Sequence, residues 1–197
     1  MKEIRSITGN IETRSIEGET MPTISGYACV FDKMTDMGWY LERVDRSAFN
    51  GCDMSETIAA FNHEEEELLS RVTGNEGDLS LTVDNIGLAY EFKAKNECAM
   101  ECAQNISLGF IKGSSFAFTV TGEAWEYDVA QADGTVKDVR TILSIGKLYD
   151  VSPVVFPAYP QTSAEARELR SRADEGRPKP VKQKDKVDIK LEILKTK

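Results

Sequence analysis

Large apolar side chains alternate with small or polar ones in many short segments of this chain, the period of strands that bury one face. Leu79, Leu81 and Val83 alternate with Ser80, Thr82 and Asp84. After Asn85-Ile86-Gly87, Leu88, Tyr90 and Phe92 alternate with Ala89, Glu91 and Lys93, which predicts a hairpin. The stretch Gly113-Ser114-Ser115-Phe116-Ala117-Phe118-Thr119-Val120 divides its side chains in the same way. Ser114, Phe116, Phe118 and Val120 form a large apolar face that should enter a core. Ser115, Ala117, Thr119 and Thr121 form a small hydroxylated face against which a substrate could lie. Ser115 is then expected to be accessible on a rigid element, and Ser114 to be packed away.

The remaining pattern supplies further short strands and few helices. Isolated isoleucines between Ile4 and Ile16, around Thr8-Gly9-Asn10, suggest a weak hairpin. Gly26-Tyr27-Ala28-Cys29-Val30-Phe31 predicts a buried strand, Trp39-Tyr40-Leu41-Glu42-Arg43-Val44 another, and Ile58-Ala59-Ala60-Phe61 a short apolar run. Asn96 is placed to cap a helix whose stripe is Ala99, Cys102, Ala103 and Ile106, with Gly109 as its stop. Trp125 and Tyr127 begin a new alternation, Asp133-Gly134 turns, residues 139–145 return, and residues 148–156 form the last core strand before Pro157 and Pro160. Residues 163–173 read as a charged helix. The segment from Asp174 to Lys186 reads as a flexible stretch, and Ile189, Leu191, Ile193 and Leu194 as able to fold onto a partner. The expected architecture is mainly β with a few helices (α+β), an antiparallel sheet closed into a barrel that removes its edges. Residues 1–166 would be the main domain and 167–197 a charged helix and tail.

Charge changes this picture more than composition does. Residues 1–166 hold 13 basic and 27 acidic side chains, whereas 167–197 hold 11 and 6. An acidic body argues against a nucleic-acid surface, and the mixed tail reads as a tether or partner segment. No apolar run approaches the ~20 residues of a membrane span, and the first residues lack the apolar core of a secretory signal, so neither membrane nor export is expected. The four cysteines, Cys29, Cys52, Cys98 and Cys102, form no C-x-x-C pair and read as reduced thiols of a cytoplasmic protein.

Candidate chemistry is sparse, which sharpens it. His63 is the one histidine of the chain, and it is the side chain best suited to carry a proton near neutral pH. It is either that or a solvated loop residue. The following Glu64 to Glu67 read as a solvated face rather than a metal cluster, because successive carboxylates diverge and no second histidine exists. A serine–histidine pair usually has a third group that fixes the imidazole, here a carboxylate or nothing. Asp150 is a charge inside the apolar strand Leu148-Tyr149-Asp150-Val151-Ser152 and needs a partner there, unless it is a backbone-capping or surface aspartate. No sequence feature points directly to oxyanion donors; Arg140 or backbone amides near Ser115 are the candidates.

Four blocks, in this order and spacing, resemble the prohead (capsid maturation) proteases of tailed bacteriophages, relatives in fold of the herpesvirus assemblins. They are Gly26-Tyr27-Ala28-Cys29-Val30-Phe31-Asp32; Phe61-Asn62-His63-Glu64; Gly113-Ser114-Ser115-Phe116-Ala117-Phe118; and Leu148-Tyr149-Asp150-Val151-Ser152-Pro153-Val154-Val155-Phe156-Pro157-Ala158-Tyr159-Pro160. The resemblance makes Ser115 the nucleophile, His63 the general base and Asp150 the third member. The family typically shows glutamate where Asp150 stands and glycine where Ala117 stands. It implies a serine endopeptidase inside the immature capsid in the host cytoplasm. Such an enzyme cuts scaffold segments from the major capsid protein and often cuts itself, without a cofactor or metal. Herpesvirus relatives act as dimers, so a homodimer is a further expectation. Two other readings stand beside it: a non-catalytic scaffold or capsid-assembly factor on the same fold, and thiol chemistry with a cysteine serving His63.

Overall fold

The computed structural model describes residues 2–9, 11–15, 17–18, 20–72, 78–156 and 163–178. It is mainly β with two helices. Two compact units are present, Met1–Thr162 and Ser163–Lys197. In the second, the described element is helix α2, Ser163–Gly176, with Leu169 and Ala173 on one face. The expectations for residues 157–162 and for the tail beyond 178 lie outside the described residues.

The first unit contains two open sheets. Strands β1 (Lys2–Thr8), β10 (Gly113–Ala130), β11 (Val136–Val154), β5 (Tyr40–Val44) and β4 (Thr35–Asp36) lie side by side in that order. Strands β6 (Ile58–Ala60) and β7 (Leu68–Arg71) extend this sheet from the far part of β11. The second sheet has the order β2 (Ile11–Arg14), β3 (Thr23–Val30), β9 (Gly87–Lys93), β8 (Ser80–Val83). Ile24, Ala28, Leu88 and Phe92 of the second sheet share one core with Phe116, Phe118, Ile142, Leu148 and Val151 of the first. Helix α1 (Glu97–Ser107) adds Ala99, Cys102, Ala103 and Ile106 to that core, the stripe read from the sequence. Asn96 caps it by accepting from the Ala99 N–H at 2.7 Å, and Gly109 follows it with φ 74°.

The closed antiparallel barrel is not observed. Neither sheet returns to pair its first strand with its last, and β11 runs parallel to both β5 and β6. Most edges are short instead: β4 has two residues and β2, β7 and β8 four each, while β1, the remaining edge, has seven. The expected hairpin around Gly9 is also absent, because the chain changes sheets there. β1 pairs with β10 and β2 with β3, with Gly9 at φ 81° between them. Residues 113–130 and 136–154 form one long hairpin, whose register shifts mark the bulges that hid its continuity from a period-two reading. The β8–β9 hairpin forms as expected. Its Gly87 is needed for space, since a Cβ there would lie 1.9 Å from the Cys29 carbonyl oxygen.

One feature of the core is polar. Arg140 is fully buried, with its guanidinium donating to Glu3, Glu42 and Glu123. Arg5 donates to Glu3 and to both oxygens of Glu42. Burial works against the charge of Arg140, but its hydrogen bond to Glu3 and the surrounding carboxylates outweigh this and hold it above its ordinary pKa. The network joins β1, β5, β10 and β11 beneath the face that carries the candidate chemistry. Arg140 is therefore committed to the interior and does not serve as the expected oxyanion donor.

Candidate active site

Strand parity places the site. Ser6, Ser115 and Ser152 stand in one row across β1, β10 and β11, with Ile4, Ala117 and Asp150 in the next row. Glu3, Arg5, Phe116 and Phe118 point the other way, Arg5 lying 5.9 Å from the Phe118 ring. Ser114 shares that inward face, as expected, and its hydroxyl meets the Tyr90 hydroxyl at 2.8 Å.

His63 comes from a single 3₁₀ turn, Phe61–His63, between β6 and β7. Asn62 and His63 both take left-handed backbone, φ 53° and 67°, at about 1–2 kcal/mol each. Asn62 tolerates this conformation and is secured by accepting from the Val155 N–H at 3.1 Å. The turn is closed by Glu64 N–H to the Phe61 carbonyl and by Phe61 N–H to the Glu67 carbonyl, each at 3.0 Å. β6 pairs with β11 at Asp150 and Val151, so the turn that follows it is delivered beside Asp150.

The three residues singled out in the sequence meet there. His63 Nδ1 lies 2.5 Å from Asp150 Oδ1, and His63 Nε2 lies 2.7 Å from Ser115 Oγ. The carboxylate fixes the tautomer: Nδ1–H donates to Asp150 and leaves Nε2 free to accept the serine proton. Asp150 is 3 % exposed and is itself held, since Ser152 Oγ donates to Oδ1 at 2.8 Å and Lys2 Nζ lies 3.6 Å from Oδ2. This row can move a proton from a hydroxyl to an imidazole backed by a carboxylate, the arrangement that makes serine nucleophilic.

One expectation fails locally. Ser115 is fully buried rather than accessible. β1 lies beside β10 in the same sheet, and the hydroxyl is enclosed by the Arg5 carbonyl at 2.8 Å, Ser6 Oγ at 2.9 Å and the imidazole. The alternation showed which face Ser115 occupies, but not that the neighbouring strand β1 and the imidazole would enclose its hydroxyl. Ser152 was missed although its position, two after Asp150, puts it on the same face. Ser6 and Lys2 left no signal because they are more than a hundred residues from their partners in the chain.

The cysteines are free, and the Cys98 thiol donates to Glu67 rather than to the Ser115–His63–Asp150 group. Burial, with Glu67 and Glu101 adding to it at Cys98, pushes the Cys98 thiol up to about 11; burial and Asp53 do the same for Cys52. Such thiols are poor nucleophiles at neutral pH.

Residues 9–175 match the family described as caudovirus prohead serine protease. The chain belongs to that family. This prohead protease is thus a serine peptidase of phage capsid maturation, and its matched region contains Ser115, His63 and Asp150 but not β1. No curated protein and no solved structure matches the chain. Among the described residues, no helix is long and apolar enough to cross a membrane.

Proposed function

We propose that Ser115 is the nucleophile, His63 the general base and Asp150 the group that orients it, in an endopeptidase that processes capsid and scaffold proteins, and itself, inside the immature capsid. The observation that carries this reading is the unbroken chain Asp150–His63–Ser115, with contacts of 2.5 and 2.7 Å. Ser115 Oγ attacks the scissile carbonyl carbon as its proton passes to His63 Nε2. The imidazolium is stabilised by Asp150 and returns the proton to the leaving amine, and water then hydrolyses the acyl-enzyme. The tail from Arg170 onward is the segment we assign to self-trimming, and a homodimer remains a proposal supported by the resemblance alone.

The test is co-expression with the capsid precursor, read by intact mass, using wild type, Ser115→Ala and His63→Ala. Cleavage by wild type and its loss in both variants is the expected result. Equal cleavage by Ser115→Ala overturns the serine assignment, and no cleavage by wild type under assembling conditions favours the scaffold reading. An unchanged mass of the enzyme itself removes the self-trimming proposal.

A further inference from the structure

Ser115 has one proton and two acceptors within reach, the Arg5 carbonyl at 2.8 Å and His63 Nε2 at 2.7 Å. When Nε2 carries a proton, the serine proton turns to Arg5. When Nε2 is bare, it turns to His63 and can leave. In both states the Ser115 oxygen keeps a lone pair facing Ser6, whose hydroxyl donates to it at 2.9 Å. Among the described residues the Ser6 hydroxyl has this one partner. Ser6 is 5 % exposed and Ser115 is fully buried, so water does not compete well for either group.

We propose that Ser6 is a fourth member of the catalytic group, donating a hydrogen bond to the Ser115 oxygen and stabilising the negative charge that builds there as its proton leaves. The inference rests on the assignment of Ser115 as nucleophile. A charge developing on Oγ beside the lone pairs of the Arg5 carbonyl is disfavoured, and the Ser6 O–H is the neutral donor placed to offset that. The donor is held rigidly. Ser6 lies directly across from Ser115 in the β1–β10 ladder, and its neighbour Arg5 is anchored to Glu42 and Glu3 in the buried ion network. β1 lies outside the residues that match the family, so this donor is supplied by a part of the chain to which the family comparison assigns no role.

Ser6→Thr and Ser6→Val separate the hydroxyl from the space it fills, because the two side chains share one shape. The probe is diisopropyl fluorophosphate. Ser115 Oγ forms a bond to phosphorus, fluoride leaves, and the serine proton passes to His63. The maximal inactivation rate and the half-saturating concentration are read with melting temperature, and the labelled residue is located by peptide mass. The expected result is labelling at Ser115, with Ser6→Thr within about threefold of wild type. Ser6→Val should be slower by about tenfold or more at unchanged half-saturation and melting temperature. Equal rates for the two variants overturn the role of Ser6, whether both match wild type or both are slowed through packing, and leave the Ser115 assignment standing. Wild type labelled elsewhere overturns that assignment and the inference with it.

Discussion

Asp150 lies diagonally across the β10–β11 ladder from Ser115. Ser115 faces Ser152, and Asp150 is two residues earlier on β11, on the same face. Diagonal positions in a sheet are about 7–8 Å apart, and an imidazole with a hydrogen bond at each ring nitrogen spans that gap. A nucleophile and its distant anchor can therefore sit on neighbouring strands, with the histidine arriving from a turn above them. On the proposed mechanism Asp150 accepts from Nδ1, and an amide in its place can hold the wrong tautomer. Asp150→Asn should lower kcat by on the order of 10³–10⁴ with KM nearly unchanged. A loss below tenfold, measured on a cleaved capsid-derived peptide, would remove Asp150 from the mechanism.

The same ladder sets Ala117 directly opposite Asp150, and Ala117 is fully buried. Glutamate and glycine, the residues the resemblance leads one to expect here, would exchange a methylene on one strand for a methyl on the other. Asp150→Glu alone should push the imidazole away from Ser115 and cost about tenfold or more in kcat, because small displacements of reacting groups are expensive. Adding Ala117→Gly makes room, so the double variant should recover much of that loss. The pair is coupled in the sense of a double-mutant cycle. Strictly additive effects of the two changes would show that the shorter acid and the larger neighbour are unrelated.

This pair also marks what a sequence reading can reach. Period two along β10 put Ser115 and Ala117 on one face and Phe116 and Phe118 on the other. A lone charge in an apolar strand pointed to Asp150, and cap chemistry placed α1. These are local signals. The choice of strand partner is not local, so the antiparallel barrel gave way to two open sheets, in one of which β11 runs parallel to β5 and β6. For the same reason Gly9 was read as a hairpin turn although it carries the chain from one sheet to the other. Part of the enclosure of Ser115 follows from that crossing, because it brings β1, and with it Arg5 and Ser6, to the edge of β10.

The buried ions beneath the site make stability depend on Arg140. Removing its charge leaves Glu3, Glu42 and Glu123 buried or partly buried with Arg5 as the remaining cation of the network. An unpaired interior charge is far more costly than the pair is favourable. Arg140→Met should therefore destabilise the protein by about 3–5 kcal/mol, despite a similar volume. In urea this reads as a lower midpoint at an unchanged slope. A shift equivalent to less than about 1 kcal/mol would mean that the carboxylates find water or protons at little cost.

Thiol chemistry at this centre is testable through pH. The thiolate is the reactive form, and a raised pKa reduces its population at every pH below that value. With Cys52 and Cys98 each pushed to about 11 and Cys102 to about 12, mainly by burial, the folded protein should react slowly with a disulfide reagent at pH 8. An ordinary thiol near 8.5 should react roughly 10²-fold faster. The folded-state rate should climb about tenfold per pH unit and level off only near pH 11, while urea-unfolded protein levels off between pH 8 and 9. A fast-reacting cysteine at pH 7, whose modification also stops capsid cleavage in a chain with Ser115 intact, would restore a cysteine as the partner of His63.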